Sequence, residues 1–157
     1  MKKRIRPKTM PANIKPKSFP IVGIGGSAGG LGAFEALLKN ISAKPGMALV
    51  FIMHLTPGHK NLLPELLTRV TKMPVSEIQS GLIPEINHVY VKPPNTDLAI
   101  DGRKFLLSTR ENASIRHLPI DYFFRSLAAE CGNRGIGVIL SGTATDGTLG
   151  AGTIKSA

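Results

Sequence analysis

The sequence predicts one α/β domain of three layers, built on a mostly parallel, doubly wound sheet that a single antiparallel hairpin interrupts. Three observations carry that prediction. The short continuous apolar runs "IVGI", "MALVFIM" and "GIGVIL" have the character of strands buried on both faces. Stretches with apolar residues at helical spacing lie between them. "LAIDGRKFLL" sets Asp101-Gly102 between two apolar arms, the strongest short-range hairpin signal in the chain.

Taken in order, the folded part is expected to start at Phe19, and "IVGI" is a β-rich run that ends at glycines. Leu31, Phe34, Leu37, Leu38 and Ile41 then recur with the period of a helix. "MALVFIM", residues 47–53, is the second strand, with His54 at its C-terminal end. Leu62, Leu63, Leu66, Leu67 and Val70 predict a second helix, in which Pro64 fits only the first turn. "MPVSEI" and "HVYV" read as short strands ahead of the hairpin. Asp121 is a plausible N-cap for a helix marked by Phe124, Leu127 and Ala128. "GIGVIL" follows as a third buried strand, closed by the polar, glycine-rich "SGTATDGTLG".

Composition narrows the function classes. The chain has 157 residues, 42% of them apolar, and no apolar run long enough to span a membrane, which places it with globular, non-membrane domains. The N-terminal stretch is basic but lacks the apolar centre of a secretory signal, so the expected location is cytoplasmic. The single cysteine, Cys131, excludes an intrachain disulfide and is expected to pack near a helix end. Of the net charge of +10, residues 1–18 supply +7 through Lys2, Lys3, Arg4, Arg6, Lys8, Lys15 and Lys17, leaving +3 for residues 19–157. With Pro7, Pro11 and Pro16 interspersed, residues 1–18 read as a disordered, solvated tail, because so little apolar area cannot offset chain entropy. The folded domain, residues 19–157, is therefore not expected to bind nucleic acid or to insert in a membrane.

The chemistry gathers at the strand ends, where open α/β sheets place their sites. Ser27 follows the first strand, His54 the second, and Asp146 lies in the loop after "GIGVIL". The glycine-rich turn after "IVGI" fits two patterns. Gly23, Gly25 and Ala28 match the dinucleotide fingerprint, while Gly25, Ser27 and Gly29 match the nucleophile elbow G-x-S-x-G. The dinucleotide pattern needs an acid at the end of the second strand, where this chain has Met53 and His54, and no lysine follows the glycines as a Walker loop requires. The elbow is favoured, although a tight turn whose serine only caps the helix gives the same pattern. Serine needs a base, histidine has the pKa for that role, and a carboxylate fixes the imidazole tautomer, so the three residues complement one another. All four histidines precede Asp146, so the order is Ser, His, Asp, which points away from the ordinary α/β-hydrolases.

Five ordered segments, "VGIGGSAGG", "VFIMHLTPGHKNLLPELLTR", "NHVYVKPPNTDLAI", "HLPIDYFFRSLA" and "GVILSGTATDGTLG", resemble the catalytic domain of the CheB-type chemotaxis methylesterases. The likeness runs from about Phe19 to the last residue and is greatest to the methylesterase module that opens fused methylesterase–methyltransferase proteins. It implies hydrolysis of γ-glutamyl methyl esters on the cytoplasmic domain of methylated chemoreceptors, with receptor glutamine deamidation as a second activity, no cofactor, and a methyltransferase as a possible partner. Position by position it puts the nucleophile on Ser27, the base on His54 and the aspartate on Asp146. It adds the backbone around Thr143 to the Ala28 N–H that the elbow rule nominates as an oxyanion donor. Where the family commonly has threonine and methionine, this chain has Ala28 and Thr143, a change that backbone donation tolerates.

The remaining polar candidates carry simpler expectations. His59 reads as a solvated loop residue, and His88 and His117 as packing or capping groups. Glu77, Glu85 and Glu111 form no spaced carboxylate pair, and no metal-ligand cluster is evident. No receiver domain precedes Phe19 in this chain, so gating by phosphoryl transfer to one is not expected. The family domain continues beyond the point corresponding to Ala157, so the sequence is expected to be a C-terminally truncated version of it. Against the esterase reading stand a non-catalytic fragment or interaction module and, third, a Rossmann-like nucleotide binder.

Overall fold

The computed structural model describes residues 18–27, 29–54, 60–110, 117–141 and 145–157. Residues 1–17 of the expected tail, Ala28, His59, Glu111 and Thr143 lie outside them. Among the described residues twelve short elements follow one another: β1 (Ile21–Gly26), α1 (Gly30–Asn40), β2 (Ala48–Met53), α2 (Leu63–Thr68), β3 (Val75–Glu77), β4 (His88–Val91), β5 (Thr96–Asp101), β6 (Lys104–Thr109), α3 (Pro119–Cys131), a 3-10 turn (Gly132–Arg134), β7 (Gly135–Ile139) and α4 (Thr148–Ser156).

Five strands form a parallel sheet in the order β3-β4-β2-β1-β7, and β5 and β6 pair antiparallel beside it. The period of two along each strand sorts residues between two cores. Val22, Ile24, Leu49, Phe51, Val89 and Val91 pack on one face with α1 and α2. Ile21, Val50, Ile52 and Tyr90 pack on the other, beneath α3 and the hairpin. The three layers predicted from sequence are thus present. No described helix is long and apolar enough to cross a membrane.

Glycines in β1 let α3 approach. A Cβ on Gly23 would lie 2.8 Å from Phe124 and one on Gly25 would lie 2.6 Å from Ile120. Side-chain-free positions on this face of the strand seat the helix directly against the backbone, so these two glycines need no phosphate to account for them.

Three local expectations change. The hairpin loop is Gly102-Arg103, not Asp101-Gly102: Asp101 ends β5 opposite Lys104, and φ is 54° at Gly102 and 65° at Arg103, both positive as a type I′ turn requires. Glu130 on α3 supports the turn by accepting the N–H groups of Gly102 and Arg103 at 3.2 and 2.9 Å. Second, β7 is a sheet edge rather than a fully buried strand. It pairs only with β1 among the described residues, and Ile136 and Ile139 are 41% and 46% exposed. Third, α3 begins at Pro119, so Asp121 is a buried residue of the first turn and not the N-cap. Cys131, as expected, is buried at the helix end, where burial pushes its thiol pKa up.

Gly150 joins α3 to α4. A Cβ there would stand 2.6 Å from the Phe124 Cβ and 3.0 Å from the Asp121 Cα, neither of which can swing aside. Gly150→Ala is expected to destabilise the fold by about 1–3 kcal/mol, as overpacking does. A urea melt would show it as a lower midpoint at unchanged slope.

Candidate active site

Ser27 leaves β1 at its C-terminal end and enters the turn before α1. The turn is held by Gly29, whose φ of 78° suits glycine, and by a bond from the Gly30 N–H to the Ser27 carbonyl at 2.9 Å. The Ser27 N–H donates to the Ser141 carbonyl at 3.2 Å, so the serine is pinned to the segment leaving β7. Its Oγ is buried and has no hydrogen-bond partner among the described residues. An unsatisfied buried hydroxyl costs stability, which marks a group kept for something other than packing.

His54 follows β2, the parallel neighbour of β1, so the register Gly26↔Met53 brings Ser27 and His54 to adjacent positions on one sheet edge. Asp146 arrives from the other side, in the segment between β7 and α4. Its Oδ2 lies 2.9 Å from His54 Nε2. The carboxylate side chain is 2% exposed and the imidazole 37%, so one end of the pair is fixed and the other faces the opening.

Asp146 is held by more than histidine. Its Oδ2 accepts the Ile120 N–H at 3.1 Å and its Oδ1 the Asp121 N–H at 2.9 Å, two of the otherwise unpaired donors in the first turn of α3. Leu118, at the cap position, has no side-chain bond to offer, so a carboxylate distant in sequence caps the helix. Asp121 returns the arrangement by accepting the Gly150 N–H of α4 at 2.6 Å. The two aspartates therefore cross-cap α3 and α4, and the N-terminal end of α3 stabilises the Asp146 charge.

A carboxylate only accepts, so His54 Nε2 carries the proton in this bond and Nδ1 keeps the lone pair. Ser27, His54 and Asp146 line one cavity of about 30 Å³, with Gly26, Ile139 and Ser141. It lies where β1 separates the strands that run to one side from β7 on the other, the switch point at which open sheets bind ligands. A hydroxyl, an imidazole and a carboxylate gathered at such a place have the chemistry for acyl transfer. The three residues picked from sequence are brought together; the two oxyanion candidates, Ala28 and Thr143, lie outside the described residues.

Sequence places neither of two neighbours at this site: it reads His117 as a packing or capping group and gives Lys92 no role. His117 stacks edge-on to His54 with ring centres 6.4 Å apart, and its Nδ1 lies 3.3 Å from Asp97 Oδ1. Lys92, just after β4, is 3% exposed and donates through Nζ to the carbonyls of Pro93 and Thr96, both at 2.8 Å. Burial pushes its ammonium pKa down to about 8 against the upward pull of Asp97. The lysine's place after a strand was the only available signal, and a lone lysine ordinarily reads as solvated. Among the described residues no group of three or more His, Cys, Asp or Glu is placed to hold a metal.

Known proteins resemble this chain along most of its length. It is 35% identical over 131 residues to protein-glutamate methylesterase/protein-glutamine glutaminase 3 of Burkholderia orbicola (strain AU 1054), covering 83% of this chain and 39% of that one. It is 40% identical over 92 residues to an uncharacterized 104.1 kDa protein in the hypE 3' region of Rhodobacter capsulatus, covering 59% of this chain and 10% of the other. The chain thus spans well under half the length of either relative. The crystal structure of the Thermotoga maritima CheB methylesterase catalytic domain superposes with a TM-score of 0.79 at 27% identity, over 89% of this chain and 76% of that one. The family model described as CheB methylesterase matches residues 22–157. Agreement in sequence over residues 22–157 and in fold over 89% of its length makes this chain a member of the CheB methylesterase family.

Proposed function

We propose that the chain is a protein-glutamate methylesterase that hydrolyses γ-glutamyl methyl esters on the cytoplasmic domains of chemoreceptors and deamidates receptor glutamines at the same site. The observation that carries the reading is the meeting of Ser27, His54 and Asp146 around one cavity, with His54 Nε2 held 2.9 Å from Asp146. Ser27 Oγ attacks the ester carbonyl carbon while His54 Nδ1 takes its proton. The tetrahedral oxyanion collapses, the bond to the methoxy oxygen breaks, and His54 returns the proton to the leaving methanol. Water, deprotonated by the same nitrogen, then cleaves the acyl-serine to give the glutamate carboxylate and restore Ser27. For glutamine the leaving group is ammonia and the steps are the same. Oxyanion donation falls to the backbone N–H of Ala28 and to the backbone around Thr143, since the Ser27 N–H is already given to Ser141. No step requires a cofactor. The partner is the methylated receptor, a methyltransferase makes the ester, and the setting is the cytoplasm. The names of the relatives support the substrate class.

Methanol release from methyl-labelled receptor by the purified chain tests the proposal. Release above the uncatalysed rate, accompanied by loss of label from receptor glutamates, is the expected result. No release from methylated receptor would overturn it.

A further inference from the structure

His54 is shared between two cavities. One holds Ser27 and Asp146. The other, about 70 Å³, is lined by Met53, His54, Lys92, Asn95, Arg110 and His117, with Pro119. That volume is enough for a group the size of a carboxylate, given about 30 Å³ for one water in the liquid. Its chemistry is one-sided. Lys92 and Arg110 are cations, Asn95 offers an amide donor, and among the described residues no acid is part of the lining itself, Asp97 standing behind Lys92 and His117.

The lining is built rather than incidental. Lys92 is buried and spends two N–H groups on the Pro93 and Thr96 carbonyls, which leaves its third for a ligand. Thr96 Oγ1 locks the same turn by donating to the Pro93 carbonyl at 2.9 Å. Asp97, the nearby acid, is directed at His117 Nδ1. His117 registers the resulting field: burial lowers its pKa first, Asp97 raises it, and Arg110, Lys92 and His54 each push it down. With two cations against the one acid, Asp97, the low-dielectric pocket is net positive and draws in negative charge.

We propose that this cavity is a specificity subsite for a free side-chain carboxylate close to the methylated glutamate of the substrate, recognised by Lys92 and Arg110. The inference rests on the esterase reading for the identity of the neighbouring group, and it deepens that reading from an ester to an ester in acidic surroundings. Because His54 lines both cavities, a carboxylate seated here fixes where the adjacent ester meets Ser27.

The test reads binding separately from turnover. Two fluorescein-labelled peptides carry a central γ-methyl glutamate, flanked on both sides by glutamates in one and by glutamines in the other. On the full chain bearing Ser27→Ala, which cannot turn them over, the acidic peptide is expected to bind about tenfold more tightly at low salt. The preference should shrink in ~0.5 M salt, where screening acts over a few ångströms. Adding Arg110→Gln should bring the two affinities together, and Arg110→Lys should keep part of the difference. Should Arg110→Gln fail to fold, the salt comparison decides alone. Equal affinities, a preference that Arg110→Gln retains, or no binding of either peptide would overturn the subsite. Methanol release by the Ser27 protein, measured in parallel, keeps the readings apart. A binding preference without methanol leaves the subsite standing and removes the esterase; methanol with equal affinities does the reverse.

Discussion

Ser27→Ala is expected to lower kcat for methanol release by at least about 10⁴-fold, the scale on which a triad nucleophile acts. The fold should not notice. The hydroxyl is buried without a hydrogen-bond partner among the described residues, so removing it strands no donor or acceptor. Stability should stay within about 0.5 kcal/mol of the parent, with any change favourable, because a buried unpaired hydroxyl is itself costly. A urea melt and a methanol assay on the same preparation check both halves. A serine-directed fluorophosphonate should label the parent and leave the variant untouched. Turnover equal to the parent's would remove Ser27 from the chemistry, and a large loss of stability would mean that the hydroxyl packs after all.

Asp146→Ala should fail in both respects. Three donors lose their acceptor at once: His54 Nε2 and the N–H groups of Ile120 and Asp121. The imidazole loses its orientation, worth about 10⁴-fold in kcat by analogy with other triads. The first turn of α3 loses its cap and leaves two buried N–H groups unpaired, which together cost about 2–4 kcal/mol. Asp146→Asn separates the effects. Its carbonyl oxygen in the Oδ1 place still accepts the Asp121 N–H, but its amide nitrogen in the Oδ2 place leaves the Ile120 N–H unpaired, donates to His54 Nε2 and drives the proton to Nδ1, the nitrogen that must serve Ser27. The expected outcome is a similar loss of turnover with a clearly smaller loss of stability. An asparagine variant that turns over like the parent would refute the orienting role. An alanine variant that melts like the parent would refute the cap.

Much of this was legible before any coordinates. Apolar runs and helical spacing locate β1, β2, α1 and α3, because burial demands those periods wherever the elements end up. Ser27, His54 and Asp146 could be picked out because a parallel sheet sends all its carboxyl ends to one side. What stayed hidden depends on the third dimension. "GIGVIL" is as apolar as "MALVFIM", yet an apolar run does not say how many strands flank it, and β7 has one partner among the described residues where β2 has two. Asp121 has the residue type of an N-cap and sits near the helix start, but Asp146 holds that end of α3 from across the fold. That freed Asp121 to hold α4 instead. Gly25 fits both functional patterns in sequence and Gly23 one of them, while their spatial reason is contact with Ile120 and Phe124. Lys92 drew no reading from sequence, because the turn around Pro93 and Thr96 that encloses it is formed only in the fold.

The cross-capping of α3 and α4 also makes the site's lifetime observable from residues that do no chemistry. The amides of Ile120 and Asp121 can exchange their hydrogens with solvent only while Asp146 has released them, and during that interval His54 loses its orienting partner. Opening of the α3 terminus and release of His54 are then one event seen through two probes, and on the proposed mechanism deuterium uptake at two backbone positions clocks how often the site is unready.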